Sequence, residues 1–253
     1  MSVLQQVLAR PIAHRGLHNA GAGIIENTLP AFERAIQGGY GIECDLQMSG
    51  DGVPIVFHDE TLDRLTGQSG RLSTLSAGQI DRVSIKDSAE KASPPRFAAL
   101  LDLVAGKVPL VVELKHQSPG TNLAFSDAAN EVAKSYAGPL VFKSFNPNIL
   151  VHLHNVACRQ PVGIIVEGFH APQFRVEISA WQRFVLRHLL HYPRSRFDFI
   201  SCAHDELKLP AVRLLRRMGK PVTTWTVRSP EDERKARQHA DQIVFEGYLP
   251  KIG

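Results

Sequence analysis

The sequence is poor in the features that would place it in several large classes. It holds 3 cysteines, an odd number, at Cys44, Cys158 and Cys202, without the C-x-x-C spacing of zinc or redox motifs. That argues against a disulfide scaffold and a thiolate metal centre. Cys44 and Cys202 lie in apolar runs and read as buried free thiols in a reducing compartment. No apolar run approaches the ~20 residues that span a bilayer. The opening residues lack a basic start followed by a long apolar stretch. A cytoplasmic protein without stable membrane insertion is the expectation. Charge of one sign is also scarce: the net charge is +4, spread along the chain without a nucleic-acid-binding pattern, so no nucleic-acid partner is expected. Low-complexity segments and internal repeats are missing.

What is present is an alternation. Apolar runs rich in Val and Ile occur at 11–14, 41–47, 109–115, 139–145, 161–167, 197–202, 221–227 and 242–246. Near-continuous runs of this kind mark strands buried on both faces of a parallel sheet. Helical patterns fall between them, at 29–37, 97–105, 123–137, 148–156, 179–192, 209–218 and 230–240. The first is introduced by Asn27-Thr28 and stopped by Gly38-Gly39. The segment 179–192 places Trp181, Phe184, Val185, His188 and Leu189 on one face, which suggests packing against the barrel or a dimer partner, with membrane contact as the lesser reading. The whole predicts an α/β protein, a (β/α)8 TIM barrel, with an open doubly wound sheet as runner-up. A chain of 253 residues suits one such domain.

One segment breaks the alternation. Residues 53–58 are strand-like but follow 41–47 after five residues, too few for a parallel crossover. A hairpin turning at Gly50-Asp51-Gly52 is expected. With residue 48 facing 53, residue 58 lands opposite 43. Residues 60–95 then form a long polar excursion, read as a small inserted cap beside the mouth.

Charged residues inside these apolar strands carry the chemistry. Glu43 and Asp45, two apart on a strand, point the same way. Glu113 has the same setting. Each alone is equally well explained by an ion pair with a barrel lysine or arginine. Together they are better explained as ligands of one divalent cation, Mg²⁺ or Ca²⁺, because buried carboxylates need compensation and an all-oxygen set suits a hard ion. His14 and His58 end strands beside them and suit an acid–base pair. Lys115 shares a face with Glu113 and, with Arg15, could neutralise a phosphoryl group. Asn27 is either a helix N-cap or part of an anion site. Phe145 and Trp225 could wall a substrate's carbon skeleton. The remaining histidines, His170 among them, read as surface or packing residues, with His116 a candidate neighbour of the site.

These residues resemble the glycerophosphodiester phosphodiesterase family. Its HRG matches His14-Arg15-Gly16, its ENT Glu26-Asn27-Thr28, and its ExD Glu43 and Asp45. Its DG and HD match Asp51-Gly52 and His58-Asp59. Its ExK matches Glu113 and Lys115, its SF Ser144-Phe145, and its WT Trp225-Thr226. Asp63-Arg64-Leu65-Thr66-Gly67 looks like the family's D-R-x-T-x-G with the glycine one place early. Two departures stand out: Ile25 replaces the usual proline before ENT, and Phe245-Glu246-Gly247-Tyr248-Leu249-Pro250 replaces a terminal threonine–aspartate–x–proline. The resemblance implies a TIM barrel, one divalent cation, and hydrolysis of small anionic glycerophosphodiesters to glycerol 3-phosphate and an alcohol.

Three alternatives stay open at this point, one of them a non-enzymatic binding module, which loss of a ligand or histidine would favour and no such loss supports. A lysophospholipase D-like hydrolase would act on lysolipids. A metal-dependent sugar isomerase or glycosidase could use the same barrel, but the His14, His58, Arg15 and Lys115 set would then go unexplained. A homodimer is also compatible with the sequence.

Overall fold

The computed structural model describes residues 1–117, 122–168 and 178–252; His170 lies outside them. Eight parallel strands close on themselves. They are β1 (Ile12–Ala13), β2 (Gly41–Met48), β4 (Leu110–Leu114), β5 (Leu140–Ser144), β6 (Val162–Val166), β7 (Phe199–Ala203), β8 (Val222–Val227) and β9 (Gln242–Phe245). Closure comes from β1, which pairs with both β2 and β9. The expected (β/α)8 barrel is therefore the fold, and closure rules out the open doubly wound sheet.

Alternation along each strand divides the apolar side chains between two cores. Ile42, Cys44, Leu46, Val112, Leu114 and Phe142 pack against Phe32, Phe97, Phe125 and Ile149 of the surrounding helices. Ile12, Val111, Val141, Phe199 and Val244 form a separate cluster inside the barrel. Gly163 makes room there, because a Cβ at that position would meet the Phe199 ring at 2.3 Å. Burying a phenylalanine of this kind contributes about 1.5–3 kcal/mol. The helix Val3–Leu8, which the sequence pattern had not singled out, packs Val3, Leu4 and Val7 on this floor. Ser2 and Gln5 start it with a reciprocal capping box, which satisfies two otherwise orphaned N–H groups.

The hairpin forms as expected, but its register differs. Strand β3 (Pro54–Val56) runs antiparallel to β2 with Leu46 opposite Val56 and Met48 opposite Pro54. The expected facing of 48 with 53 is thus off by one residue. The cause is local: Ser49 Oγ accepts from Val53 N at 2.9 Å, and Ser49 N donates to Val53 O at 3.0 Å. Ser49 and Val53 therefore face each other across a three-residue turn. The ladder runs on to Phe57, whose N donates to Asp45 O at 3.0 Å, so the hairpin still delivers His58 to the level of Glu43 and Asp45.

Residues 60–95 form the inserted cap. Leu62, Leu72, Ala77, Ile80 and Val83 share a small core with Ile55 and Phe57 of the hairpin arm. Gly50 N donates to Leu75 O at 2.7 Å and Ala77 N to Asp51 Oδ1 at 2.9 Å, fastening the cap to the turn.

Two further expectations need correction. The N-cap of the helix Leu29–Gln37 is Thr28, and its side chain makes no capping bond; Asn27 is used elsewhere. The helix expected over 179–192 breaks into Ala180–Arg187 and Tyr192–Ser195. Leu189 takes φ 54° between them, and Pro193 could not continue a helix from that point. Of the predicted apolar face only Leu189 is buried; Trp181 is 68% exposed and Phe184 46%. Leu189 packs into the outer core of the barrel, while the two aromatic residues of the face stay exposed.

Candidate active site

Charged side chains gather at the C-terminal ends of the strands, above the apolar floor. Register sets the first row: Asp45 on β2 is opposite Glu113 on β4, and Glu113 is opposite Lys143 on β5. Glu43 lies two residues before Asp45 on the same face. Glu43, Asp45 and Glu113 each offer an oxygen within 4.8 Å of the others, and they are 1%, 1% and 5% exposed. Ligands bound at ~2.4 Å to one cation can lie no more than about 5 Å apart. The donor set is all oxygen and anionic, so these residues fit a hard divalent cation.

The same carboxylates are also ion-paired. Lys143 Nζ is 2.9 Å from Glu43 Oε1 and 3.7 Å from Glu113 Oε2. Lys115 Nζ is 3.1 Å from Asp45 Oδ1 and 2.8 Å from Glu113 Oε1. No well-angled hydrogen bond reaches that last oxygen, however. Arg15 adds its backbone N to Glu43 Oε2 at 3.1 Å and its Nε to Asp45 Oδ2 at 3.4 Å. Burial pushes the Asp45 carboxyl up, but Lys115, His58, Arg15 and His14 outweigh it and hold it well below the usual range. Burial likewise opposes ionisation of Glu43, and Lys143 leads the groups that overcome it. Both carboxyls are therefore anions ready for a cation. Lys143 was missed by the sequence reading, although a lone charge inside Leu140-Val141-Phe142-Lys143-Ser144 carried the same signal as Glu113.

Local backbone geometry places Arg15 and Asn27. Arg15 sits at φ 54° and Asn27 at φ 55°, a region that costs most residues ~1–2 kcal/mol and that asparagine tolerates best. Asn27 N donates to Arg15 O at 2.9 Å. The Asn27 side chain donates from Nδ2 to Asp45 Oδ2 at 2.9 Å and accepts from Asp45 N at 3.3 Å. It orients a carboxylate, which replaces its expected capping role. Gly16 follows at φ 81°, where a Cβ would lie 2.9 Å from the Ala31 carbonyl carbon.

Both candidate acid–base residues are held by carboxylates. His14 Nδ1 is 2.7 Å from Glu246 Oε2, and His58 Nδ1 is 2.7 Å from Asp59 Oδ1. With Nδ1–H donating, Nε2 is the nitrogen free for proton transfer. The hydrogen bond from His14 leads the causes that bring Glu246 down to about 2, against its burial. Asp59 is held below its usual range by His58 and Arg64, which outweigh its burial. Arg64 joins Asp59 to Glu26, and Glu26 accepts from Arg15 Nη1 at 2.7 Å. A continuous set of ion pairs thus ties the cap to the HRG loop. His58 is also near enough to depress the Asp45 carboxyl, so the site gathers both histidines. Glu246 stands in the tail that departs from the family pattern, and sequence spacing alone gave no reason to join it to His14.

Of the remaining predicted residues, Phe145 follows β5 and Trp225, on β8, packs against the inner apolar cluster. Phe145 and Trp225 meet edge-to-face with centroids 6.0 Å apart. Trp225 Nε1 donates to Ser201 O at 3.1 Å. His116 is exposed, with Nδ1 3.4 Å from Asn146 Nδ2, and stays outside the cluster of charges. Glu167 follows β6 at the same end, and burial, with Asp205 and Glu113, pushes its carboxyl up to about 7. The sequence reading did not single it out.

Comparison with known proteins bears on all of this geometry. A glycerophosphodiester phosphodiesterase from Caldanaerobacter subterraneus subsp. tengcongensis is 30% identical over 248 residues, covering 92% of each chain. Glycerophosphodiester phosphodiesterase 1 of Mus musculus is 29% identical over 251 residues, covering 90% of this chain and 74% of its own. A phosphodiesterase of Oleispira antarctica, solved with the product sn-glycerol-3-phosphate, superimposes with a TM-score of 0.79. It is 23% identical, with 97% of this chain and 95% of that one covered, and supports the barrel. The model of the glycerophosphoryl diester phosphodiesterase family matches residues 14–245, a span that runs from the first site histidine through the last strand of the barrel, and the chain belongs to that family.

Proposed function

We propose that this protein hydrolyses glycerophosphodiesters to glycerol 3-phosphate and an alcohol, with one divalent cation, Mg²⁺ or Ca²⁺, held by Glu43, Asp45 and Glu113. The observation that carries the reading is the buried carboxylate triad at the barrel mouth, flanked by two histidines that are each held by a carboxylate. Such a cation would polarise a phosphoryl oxygen and fix the phosphodiester. Lys115 and Arg15 bind the remaining negative charge of the phosphoryl group. Lys143 and Asn27 keep the carboxylates in place. The Phe145–Trp225 pair gives the glycerol carbons an apolar wall.

His14 and His58 move the protons. The His14 side chain is 10% exposed and that of His58 30%. The deeper ring suits removal of a proton from the nucleophile at Nε2. The more exposed ring, His58, is assigned to protonation of the departing alcohol. Glu246 and Asp59 keep both rings oriented, as a carboxylate does for a catalytic histidine in other hydrolases. The sugar-directed alternatives leave the paired histidines and basic residues without a task, and family membership weighs against them.

Cytoplasmic location is part of the proposal. Free Cys44, Cys158 and Cys202 suit a reducing compartment. Among the described residues no helix is long and apolar enough to cross a membrane. The test is to incubate the protein with a panel of glycerophosphodiesters, with and without chelator, and assay glycerol 3-phosphate. Release that chelator abolishes and Mg²⁺ or Ca²⁺ restores is expected. Release that persists after exhaustive chelation would overturn the metal assignment, and release from no member of the panel would overturn the substrate class.

A further inference from the structure

Strand β2 carries a third polar side chain in step with its two carboxylates. Gln47 follows Glu43 and Asp45 at the same two-residue spacing, and it is 6% exposed. Its amide meets the chain where the hairpin ladder stops. The last bond of that ladder runs from Phe57 N to Asp45 O at 3.0 Å. One residue further on, Gln47 Nε2 donates to His58 O at 3.1 Å. That bond holds the backbone of His58 just beyond the strand, while Asp59 holds the ring at Nδ1.

The direction of the Gln47 amide is dictated by a second one. Gln117 lies past the end of β4 and is also 6% exposed. Its Nε2 donates to Lys115 O at 3.0 Å, and its Oε1 accepts from Met48 N at 3.3 Å. A backbone carbonyl only accepts and a backbone N–H only donates, so these two contacts fix which end of the Gln117 amide is which. The other N–H of Nε2 then goes to Gln47 Oε1 at 2.9 Å. Gln47 is left with Nε2 toward His58 O. Reversing either amide would set two donors or two acceptors face to face in a buried place, which is costly. Gln117 is itself clamped at the backbone: its N donates to Asn122 Oδ1 at 2.8 Å, and its O accepts from Asn122 Nδ2 at 3.2 Å.

A bridge needed only to join the ends of β2 and β4 would be complete at Met48 and Lys115. This one continues through Gln47 and ends on the residue assigned to proton transfer. It also begins at the backbone of Lys115, whose side chain is assigned to the phosphoryl group. The two groups that must be held at a fixed separation are thus joined by bonds whose polarity permits one arrangement.

We propose that Gln47 and Gln117 are positioning residues that set where His58 stands relative to the phosphoryl group at Lys115. The proposal rests on the reading of His58 as the acid that protonates the departing alcohol, so placement and turnover are measured separately. Placement is followed by NMR of the full chain with isotope-labelled histidine, in chelator. In Gln47→Met, which keeps the stem and removes the amide, the His58 ring signals should shift or broaden while those of His14, held by Glu246, stay in place. Turnover with Mg²⁺ or Ca²⁺ is compared on glycerophosphocholine, whose leaving group needs a proton, and on the glycerol phosphodiester of nitrophenol, whose leaving group needs little. On glycerophosphocholine kcat should fall about 10–10²-fold, the usual result of misplacing a catalytic group by about an ångström. KM should change by less than about threefold. The loss on the nitrophenyl diester should be at least about fivefold smaller. Gln117→Met should show the same contrast at reduced size, and the double variant should be no worse than Gln47→Met, because both act on one bond. Gln117→Met decides the matter where Gln47→Met does not fold. Equal losses on the two substrates would mean that the pair only supports the fold, and would overturn the proposal. So would additive losses, or His58 signals that do not move. A parent inactive on both diesters would count against the phosphodiesterase reading, and the placement of His58 would still be decided by the ring signals.

Discussion

Replacing Lys143 by methionine tests the electrostatic account of the site, because methionine keeps the apolar stem and removes the charge. Lys143 is 3% exposed, and its Nζ lies 2.9 Å from Glu43 and 3.7 Å from Glu113. At an effective dielectric near 20 those distances give attractions of about 6 and about 4.5 kcal/mol. The cost of burying the ammonium, several kcal/mol, is recovered in the variant. What remains is the usual penalty for stranding a buried partner, about 3–5 kcal/mol. In a chain of this size each kcal/mol lowers the unfolding midpoint by about 2–4 °C. The metal-free variant should therefore melt about 6–20 °C below the parent. A dication supplies positive charge to the same carboxylates, so adding Mg²⁺ or Ca²⁺ should raise the variant's midpoint by more than the parent's. Scanning calorimetry in chelator and in millimolar metal reads both quantities, with circular dichroism confirming a native fold. Equal midpoints in chelator, or a metal-induced rise no larger in the variant, would refute the idea that Lys143 and a cation answer the same charge.

Three further expectations follow from the geometry. Alanine at His14 or His58 should each lower turnover by about 10²–10⁴-fold, and a substrate with a highly acidic leaving group should rescue the His58 variant far more than the His14 variant; absence of selective rescue would remove the acid–base assignment. Glu246, brought to about 2 from an ordinary value of 4.5 by its bond to His14, contributes stability that is present above pH 4.5 and lost as pH falls toward 2. Glu246→Gln should accordingly cost about 1–3 kcal/mol at pH 6 and almost nothing near pH 2, as read by denaturant titration at the two values. Glu167 has the opposite sign: raised to about 7, it destabilises the fold as pH climbs from 4.5 through 7, so Glu167→Gln should be more stable than the parent by about 1–2 kcal/mol at pH 8 in chelator, after allowing for solvent screening, and indistinguishable from it at pH 4.

How much of this could be read from the sequence depends on how far each interaction reaches along the chain. The barrel strands were legible because a strand buried on both faces must be apolar throughout, and Glu43, Asp45 and Glu113 were legible because charge in such a run demands compensation. Lys143 obeyed the same rule, but its partners come from strand register, Glu113 opposite Lys143, which no local spacing encodes. Glu246 is further still from view: its bond to His14 spans 232 positions and exists only because β9 closes against β1. Asn27 stayed ambiguous for a related reason, since its local sequence is that of a helix cap while its side chain is used by Asp45 on the next strand. At short range the difficulty is different. The hairpin was implied by a connection too short for a helix, yet its register goes with two bonds between Ser49 and Val53, one from Val53 N to Ser49 Oγ and one from Ser49 N to Val53 O, each worth about 1 kcal/mol. The helix Ala180–Arg187 marks a third kind of limit. Periodicity shows that an apolar face exists; what covers it is decided by where the helix sits, and here Arg187 is tied to Glu206 while Trp181 and Phe184 stay exposed. The same periodic signal that elsewhere in this chain reports a barrel core therefore reports a surface, and nothing in the local spacing tells the two apart.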